Sequence, residues 1–204
     1  MRSPRYAPAG LCVERAGGAH DGDEALRVLV DAGPEALPPG RLDAWLVSDL
    51  HSELIAAIRR VARPRGVEPA VARFEVEGLS LEPHPVVHTS HPTYGYLLVT
   101  HGVRVVWAPE FWRFPRWAAG ADLMFAEAAS WSRPIGFVGG VGGHMPALEV
   151  ARRAHAAGVD KLVLAHIGRP SIRARDAGET IEGVEWGSDG DTWIVTSRGV
   201  LRER

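Results

Sequence analysis

The sequence predicts a layered α/β fold, formed as a single domain over residues 1–204. Strand-like segments come first along the chain and strands alternate with helices afterwards, which is the pattern of an α/β architecture. The chain has 204 residues, of which 46% are hydrophobic, and is long enough to bury one full core. Polar residues that could carry chemistry follow several predicted strands, where open α/β sheets expose functional groups.

The first half of the chain is predicted to contain mostly strands. Short apolar or alternating segments indicate strands at residues 11–15, 25–30, 44–47 and 71–76. A helix is expected after Glu53, because apolar residues at 54, 55, 58 and 61 share one helical face. Pro64 ends this helix. Residues 94–99 and 103–107 flank His101 and Gly102, which indicates a β-hairpin.

The second half is predicted to alternate between strands and helices. A strand at residues 121–127 leads into a glycine-rich loop at 136–143. A helix begins near Pro146, with Leu148, Ala151 and His155 on its inner face, and Gly158 closes it. Residues 161–165 form a buried strand that ends at His166. Residues 184–186 and 193–196 are predicted to pair as a final hairpin.

Composition excludes several classes of protein. The formal net charge is -2, so no overall field attracts nucleic acid or an anionic membrane. Cys12 is the only cysteine, which excludes an internal disulfide and a thiolate zinc site. The first ten residues lack the apolar core of a signal peptide, and no apolar segment reaches the ~20 residues of a membrane span. We therefore expect a cytoplasmic protein.

Polar residues lie just after predicted strands or at the starts of loops. They are Asp49, His51 and Glu53 at alternate positions, His88 with His91 nearby, Glu110, His144 and His166. Imidazole and carboxylate ligands together suit Mn, Zn or Fe better than Ca. Each residue alone also has a structural explanation: Asp49 or Ser52 caps the following helix, Glu110 lies on the surface, and a single histidine forms a hydrogen bond. Their joint placement at successive strand ends favours a metal site.

Other polar residues are interpreted as non-functional. His20 lies in a polar turn, His101 at a hairpin tip and His155 on a helix, and His84 is placed with them. Seven tryptophans are interpreted as packing residues, and the arginines at 59, 60, 63 and 65 as a solvated helix face.

Six ordered segments within residues 11–169 carry a family resemblance. They are residues 30–33 (VDAG), 47–54 (VSDLHSEL), 88–96, 107–110 (WAPE), 143–151 and 164–167 (LAHI). In this order they resemble the metallo-β-lactamase-fold hydrolases, and most nearly the branch of ribonuclease Z and the cyclic-phosphate phosphodiesterases. The resemblance implies a four-layer αββα sandwich.

The resemblance also implies a set of metal ligands. Asp49, His51 and His88 would hold one metal, Glu53 and His166 a second, and Glu110 would bridge them. His91 is the alternative to His88. Compared with the family signature, Asp49 replaces a His, Glu53 an Asp, Leu54 a His and Glu110 an Asp. Leu54 cannot bind a metal, so the second site loses one ligand, and we expect one or two divalent transition metals (Mn, Zn or Fe).

The function implied is metal-dependent hydrolysis of a small or nucleotide-like phosphodiester, with His144 as the catalytic residue. Arg169 and the glycines at 139–143 are candidates for contacting a phosphate, although Arg169 is more simply a surface residue. Nucleic acid is a possible substrate that the charge does not support, and a homodimer is possible. Two alternatives stay open: a non-catalytic metal-binding or scaffold protein, favoured by Asp49 and Leu54, and a hydrolase of a thioester or lactone.

Overall fold

The computed structural model describes residues 8–15 and 25–203. Contacts between Cα atoms divide the chain into two compact units, Met1–Ala72 and Arg73–Arg204, and each is described by itself. His20 lies outside the described residues. The prediction of a single domain over residues 1–204 stays a prediction.

Within residues 8–15 and 25–72, the first unit contains a three-stranded sheet and one α-helix. Strand β1 (Leu11–Arg15) pairs antiparallel with β2 (Leu26–Val30), and β2 pairs parallel with β3 (Ala44–Leu46). Helix α1 (Ile55–Ala62) buries Ile58 against a core that includes Leu29 and Trp45. A 3-10 turn at Arg63–Arg65 ends α1, which agrees with the predicted stop at Pro64.

The second unit is built on a seven-stranded sheet. Its strands and those of two short hairpins are β4 (Phe74–Val76), β5 (Leu79–Val86), β6 (Thr93–Thr100), β7 (Val103–Ala108), β8 (Leu123–Ala128), β9 (Ile135–Gly136), β10 (Gly143–His144), β11 (Lys161–Ile167), β12 (Val184–Trp186), β13 (Trp193–Thr196) and β14 (Gly199–Arg202). The sheet order is β12-β11-β8-β7-β6-β5-β4. Strands β4 to β7 are antiparallel neighbours, whereas β7, β8, β11 and β12 are parallel.

Two helices follow strands of the parallel half. They are α2 (Ala147–Ala156) and α3 (Arg169–Asp176). Helix α2 packs small residues, Val150, Ala151 and Ala154, against a core formed by β7 and β8. The predicted inner face of this helix is wrong for two residues, because Leu148 is 43% exposed and His155 is exposed. The buried positions follow the three-to-four-residue spacing of the alanines instead.

The predicted final hairpin is also wrong. Strand β12 pairs in parallel with β11, with Leu162 opposite Val184, and β13 pairs with β14. Parallel neighbours need a crossover connection, and α3, which the sequence analysis did not predict, lies on this one. The predicted hairpin of β6 and β7 around His101 is confirmed. No helix among the described residues is long and apolar enough to span a membrane.

Candidate metal centre

Three histidines and two glutamates meet in the second unit. This histidine–carboxylate cluster consists of His88, which follows β5, Glu110, which follows β7, Glu127 in β8, His144 in β10 and His166 in β11. Because β7, β8 and β11 are parallel, their carboxyl ends lie at one edge of the sheet. The topology thus gathers polar groups that are far apart in sequence.

Glu110 lies between two of the histidines. Its Oε1 atom is 3.2 Å from Nε2 of His166 and 3.7 Å from Nε2 of His88. The same carboxylate and the rings of His88 and His144 offer ligand atoms that all lie within 4.8 Å of one another. Two imidazole nitrogens therefore lie within 3.7 Å of one carboxylate oxygen, close enough for the three atoms to share an ion.

The backbone fixes the ring of His88. Its Nδ1 atom lies 3.0 Å from the carbonyl oxygen of Gly143, and the N–H of Gly143 donates to the carbonyl oxygen of His88 at 2.8 Å. A carbonyl can only accept, so Nδ1 carries the proton, and in the neutral imidazole the lone pair is on Nε2, the nitrogen nearer Glu110. Metal-binding histidines commonly donate their second nitrogen in this way.

Glu127 fixes the ring of His144. The Glu127 side chain is fully buried, and its Oε2 atom lies 2.9 Å from Nδ1 of His144. Its two oxygens also accept backbone N–H groups, from Phe111 at 3.0 Å and from Ala129 at 2.8 Å. Three donors on one buried carboxylate compensate its lost hydration. Glu127 thus holds His144 in place and leaves Nε2 of His144 for a ligand or a substrate.

The surroundings raise the pKa of His144. Burial by itself lowers it, but the hydrogen bond to Glu127 and the negative charges of Glu127 and Glu110 outweigh burial. The net direction is upward from the ordinary value of 6.5, so the charged form of this imidazole is favoured.

His166 occupies an unusual backbone conformation. Its φ is +47°, and the pairing of β11 with β8 shifts register between Leu164 and Ile167. A residue other than glycine at positive φ costs roughly 1 kcal/mol or more, and such irregularities re-aim side chains beside functional sites. Here the deviation accompanies the approach of the His166 ring to Glu110.

The solvent exposure of the side chains increases from one side of the cluster to the other. The side chain of Glu127 is 0% exposed and that of His144 is 13% exposed, whereas Glu110 and His166 reach 28% and 35%. His88 is buried, as Glu127 is, whereas His144 is only partly buried. A substrate would therefore meet the cluster from the side of Glu110 and His166.

The donor set fits a divalent transition metal. Histidine nitrogens and a glutamate oxygen suit Zn, Mn and Fe, and two of the rings are oriented through their second nitrogen. Two nitrogens and one oxygen, from His88, His166 and Glu110, would be available to such an ion, with His144 within reach. Glu127, His144 and His166 also lie close enough together to share an ion. Because its oxygens already accept three hydrogen bonds, we assign Glu127 to positioning rather than to metal binding.

The remaining predicted ligands belong to the first unit. Asp49 is buried, and its Oδ1 atom accepts the N–H of His51 at 2.7 Å and lies 3.7 Å from Nδ1 of the same histidine. Glu53 is exposed, shortly before α1 begins. Leu54 packs against the core around Ile58. The metal-binding roles of Asp49, His51 and Glu53 stay predictions.

Two further candidate site residues, His91 and Arg169, lie in the second unit. His91 is on the turn between β5 and β6, where its carbonyl oxygen accepts the hydroxyl of Thr89 at 3.1 Å. Arg169 is exposed and begins α3, three residues after His166. The contact of His88 with Glu110 supports His88 as the ligand, and the choice between His88 and His91 stays a prediction.

Sequence reasoning missed Glu127. It assigned this residue to the end of a strand without a role. The available signal was a carboxylate inside an otherwise apolar stretch, LMFAEA, because a charged residue in a fully buried strand needs specific partners.

No protein-family model and no curated protein matches the sequence. Among solved structures, the metallo-β-lactamase fold protein YhfI from Bacillus subtilis is 18% identical with a TM-score of 0.67, covering 93% of both chains. A diphosphatase of the PhnP family is 17% identical with a TM-score of 0.60, covering 81% of this chain and 78% of its own. The short form of human tRNase Z is 14% identical with a TM-score of 0.57, covering 92% of both chains.

These similarities define the fold. The chain has the metallo-β-lactamase fold, and the predicted fold class is confirmed.

Proposed function

We propose that this protein is a metal-dependent hydrolase that cleaves a small phosphodiester. The observation that carries the proposal is the histidine–carboxylate cluster, in which Glu127 orients His144 beside Glu110, His88 and His166. A diphosphatase and a tRNase Z among the similar structures support phosphorus chemistry. The similar structures also include a Zn-bound protein, which supports a transition metal.

In this proposal His88, Glu110 and His166 hold the metal. When bound, it supplies Lewis-acid chemistry, which stabilises charge on a phosphoryl oxygen and activates water. Of the metals that suit these ligands, Mn, Zn and Fe are the candidates. Asp49, His51 and Glu53 are proposed as further ligands on the sequence resemblance alone.

His144 acts on the leaving group. Its Nδ1–H is held by Glu127, so its Nε2 is the atom that faces a substrate. The charged form of His144, which Glu127 favours, carries a proton on Nε2 that it can donate to the leaving oxygen. A positioned acid of this kind contributes roughly 10²–10⁴-fold to a rate.

The test combines metal content with hydrolysis. Protein purified without chelator is analysed for metal, loaded with Mn, Zn or Fe(II) in turn, and assayed with bis(p-nitrophenyl) phosphate. We expect His166→Ala to lose metal and activity together. We expect His144→Ala to keep its metal and to lose roughly 10²-fold or more in kcat for a diester with an alkoxide leaving group, and less for bis(p-nitrophenyl) phosphate, whose leaving group departs with little need of a proton. His155→Ala, an exposed histidine on α2, is the matched control and should behave as the parent does.

Two alternatives have their own support. A non-catalytic metal-binding or scaffold protein is favoured by Leu54, an apolar residue at a signature position that packs into the core of its unit. A hydrolase of another bond, such as a thioester or lactone, is favoured by an isothiocyanate hydrolase among the similar structures, at a TM-score of 0.57 and 14% identity. If no metal supports phosphodiester hydrolysis, one of these two alternatives replaces the proposal. Hydrolysis of a thioester or lactone would then favour the second alternative, and its absence the first.

A further inference from the structure

One segment beside the cluster carries no polar side chain. Residues 135–143 read IGFVGGVGG, so its only side chains are Ile135, Phe137, Val138 and Val141. We call it the apolar ribbon. It folds as the antiparallel pair β9 and β10, joined by a 3-10 turn at Val138–Gly140. A ribbon of apolar residues and glycine at a hydrolytic site limits what that site can bind.

The ribbon adjoins the reactive histidine. Ile135 is the cross-strand partner of His144, and cross-strand partners project their side chains to the same face. The ring of Phe137 packs edge-to-face on His144 at 5.4 Å and on His88 at 5.3 Å between ring centroids. Ile135 and Phe137 therefore form an apolar wall that begins at the cluster itself.

The outer part of the ribbon is exposed to solvent. Val138 is 98% exposed, Val141 42% and Ile135 39%. Single exposed apolar residues are normal on a protein surface, but these three lie within seven residues on one ribbon. Burying their surface would gain free energy in proportion to the apolar area covered.

The ribbon does not have the chemistry of a nucleic-acid surface. Polynucleotides are bound chiefly through Lys and Arg contacts to phosphates, and the ribbon provides neither. It suits instead an apolar group that is attached to the reacting centre and reaches away from His144.

We propose that the apolar ribbon binds an apolar alkyl or aryl substituent of the substrate, so that the preferred substrates are small phosphodiesters with such a group rather than polynucleotides. This inference rests on the proposed function. The diester reacts at the cluster, and its non-leaving substituent packs on Ile135, Phe137 and Val138. A preference of ten-fold, about 1.4 kcal/mol, corresponds to burial of about two methylene groups.

The test compares hexyl p-nitrophenyl phosphate with methyl p-nitrophenyl phosphate. The two diesters share a leaving group and differ only in the length of the other substituent. For the metal-loaded parent we expect kcat/KM to be about ten-fold higher for the hexyl diester. In Val138→Ser and Ile135→Ser the hexyl-to-methyl ratio should fall about three-fold or more. Leu201→Ser, which changes a 68% exposed residue on β14, is the matched control and should keep the parent ratio.

Binding gives a second readout that does not depend on turnover. By calorimetry, hexylphosphonate should bind the parent about ten-fold more tightly than methylphosphonate, and Val138→Ser should narrow this difference. Several results would overturn the inference: equal kcat/KM for the two diesters, a ratio that the ribbon variants leave unchanged, or a dinucleotide cleaved better than the hexyl diester.

Other occupants of the ribbon would show themselves differently. If Val138→Ser dissociates a dimer in sedimentation, or releases the protein from phosphatidylcholine vesicles, with the hexyl-to-methyl ratio unchanged, the ribbon serves association and the inference is overturned. Failure to hydrolyse either diester would instead count against the proposed function, so the two failures are distinguishable.

Discussion

Replacing Glu127 by glutamine tests the role of this buried side chain as a hydrogen-bond acceptor. The change keeps the shape of the side chain but gives it one acceptor oxygen and one NH₂ donor. In the parent, Oε1 accepts the N–H of Ala129, and Oε2 accepts the N–H of Phe111 and the Nδ1–H of His144. In either orientation of the amide, the NH₂ group therefore faces at least one backbone N–H that it cannot accept.

The magnitude follows from these contacts. A buried donor left without a partner costs about 1–3 kcal/mol, and the charge on the remaining hydrogen bonds is also lost. We expect the free energy of unfolding to fall by about 2–3 kcal/mol, or Tm to fall by about 4–12 °C for a chain of this size. If the amide oxygen takes the Oε1 position, His144 must also change tautomer to keep a hydrogen bond, so its Nε2 would present a proton instead of a lone pair in the neutral form.

Thermal unfolding by circular dichroism and hydrolysis of bis(p-nitrophenyl) phosphate are measured on the same samples. Glu82→Gln, the same substitution at an exposed glutamate, should change stability by less than about 0.5 kcal/mol. Because Glu127 acts in part through His144, Glu127→Gln should reduce kcat by a smaller factor in the His144→Ala variant than in the parent. Unchanged Tm and kcat in Glu127→Gln, or fully additive losses in the double variant, would refute the reasoning.

Two other predictions concern the ribbon and α2. Gly143→Ala should destabilise the protein more than Gly140→Ala. Both glycines have positive φ, but the added Cβ at Gly143 overlaps a backbone carbonyl of β9, whereas the space at Gly140 is empty. Equal Tm values for the two variants would contradict the steric argument. Hydrogen bonds from Arg152 and Arg153 lower the pKa of Glu149 from 4.5 to about 2, so its stabilising effect should be complete above pH 4.5 and be lost as pH falls toward 2. The Tm of Glu149→Gln should thus lie below that of the parent at pH 7 and converge with it near pH 2. A difference in Tm that is constant with pH would show that the charge of Glu149 does not stabilise the protein.

Hydrophobic pattern located most strands of the second unit but missed β5. Strands β6, β7, β8 and β11 are apolar over most of their length, whereas β5 contains Pro83 and Pro85, which argue against a central strand. The structure explains how they are tolerated. Strand β4 pairs only with Leu79–Leu81 of β5, so the prolines lie where β5 has a partner on one side only, in β6. Whether the prolines are tolerated depends on the length of the neighbouring strand β4, and the hydrophobic periodicity of β5 carries no information about that length.

Only part of the candidate site could be predicted from the sequence. Family resemblance indicated the positions of His88, Glu110, His144 and His166, and the structure brings their side chains together. It could not indicate the positive φ of His166. Such a feature depends on the register between strands distant in sequence, which a local pattern does not record.

Glu127 joins the two halves of the cluster. Through Phe111 it holds the backbone immediately after Glu110, and through Nδ1 it holds His144, so one buried carboxylate positions both a candidate metal ligand and the candidate acid. These hydrogen bonds explain how a carboxyl side chain is tolerated inside an apolar strand, where an unpaired polar group would be strongly unfavourable. Glu110 and His166, the more exposed members, have more room to adjust. The cluster thus combines a rigid buried side that orients the proton donor with an open side that can accept an ion and a substrate.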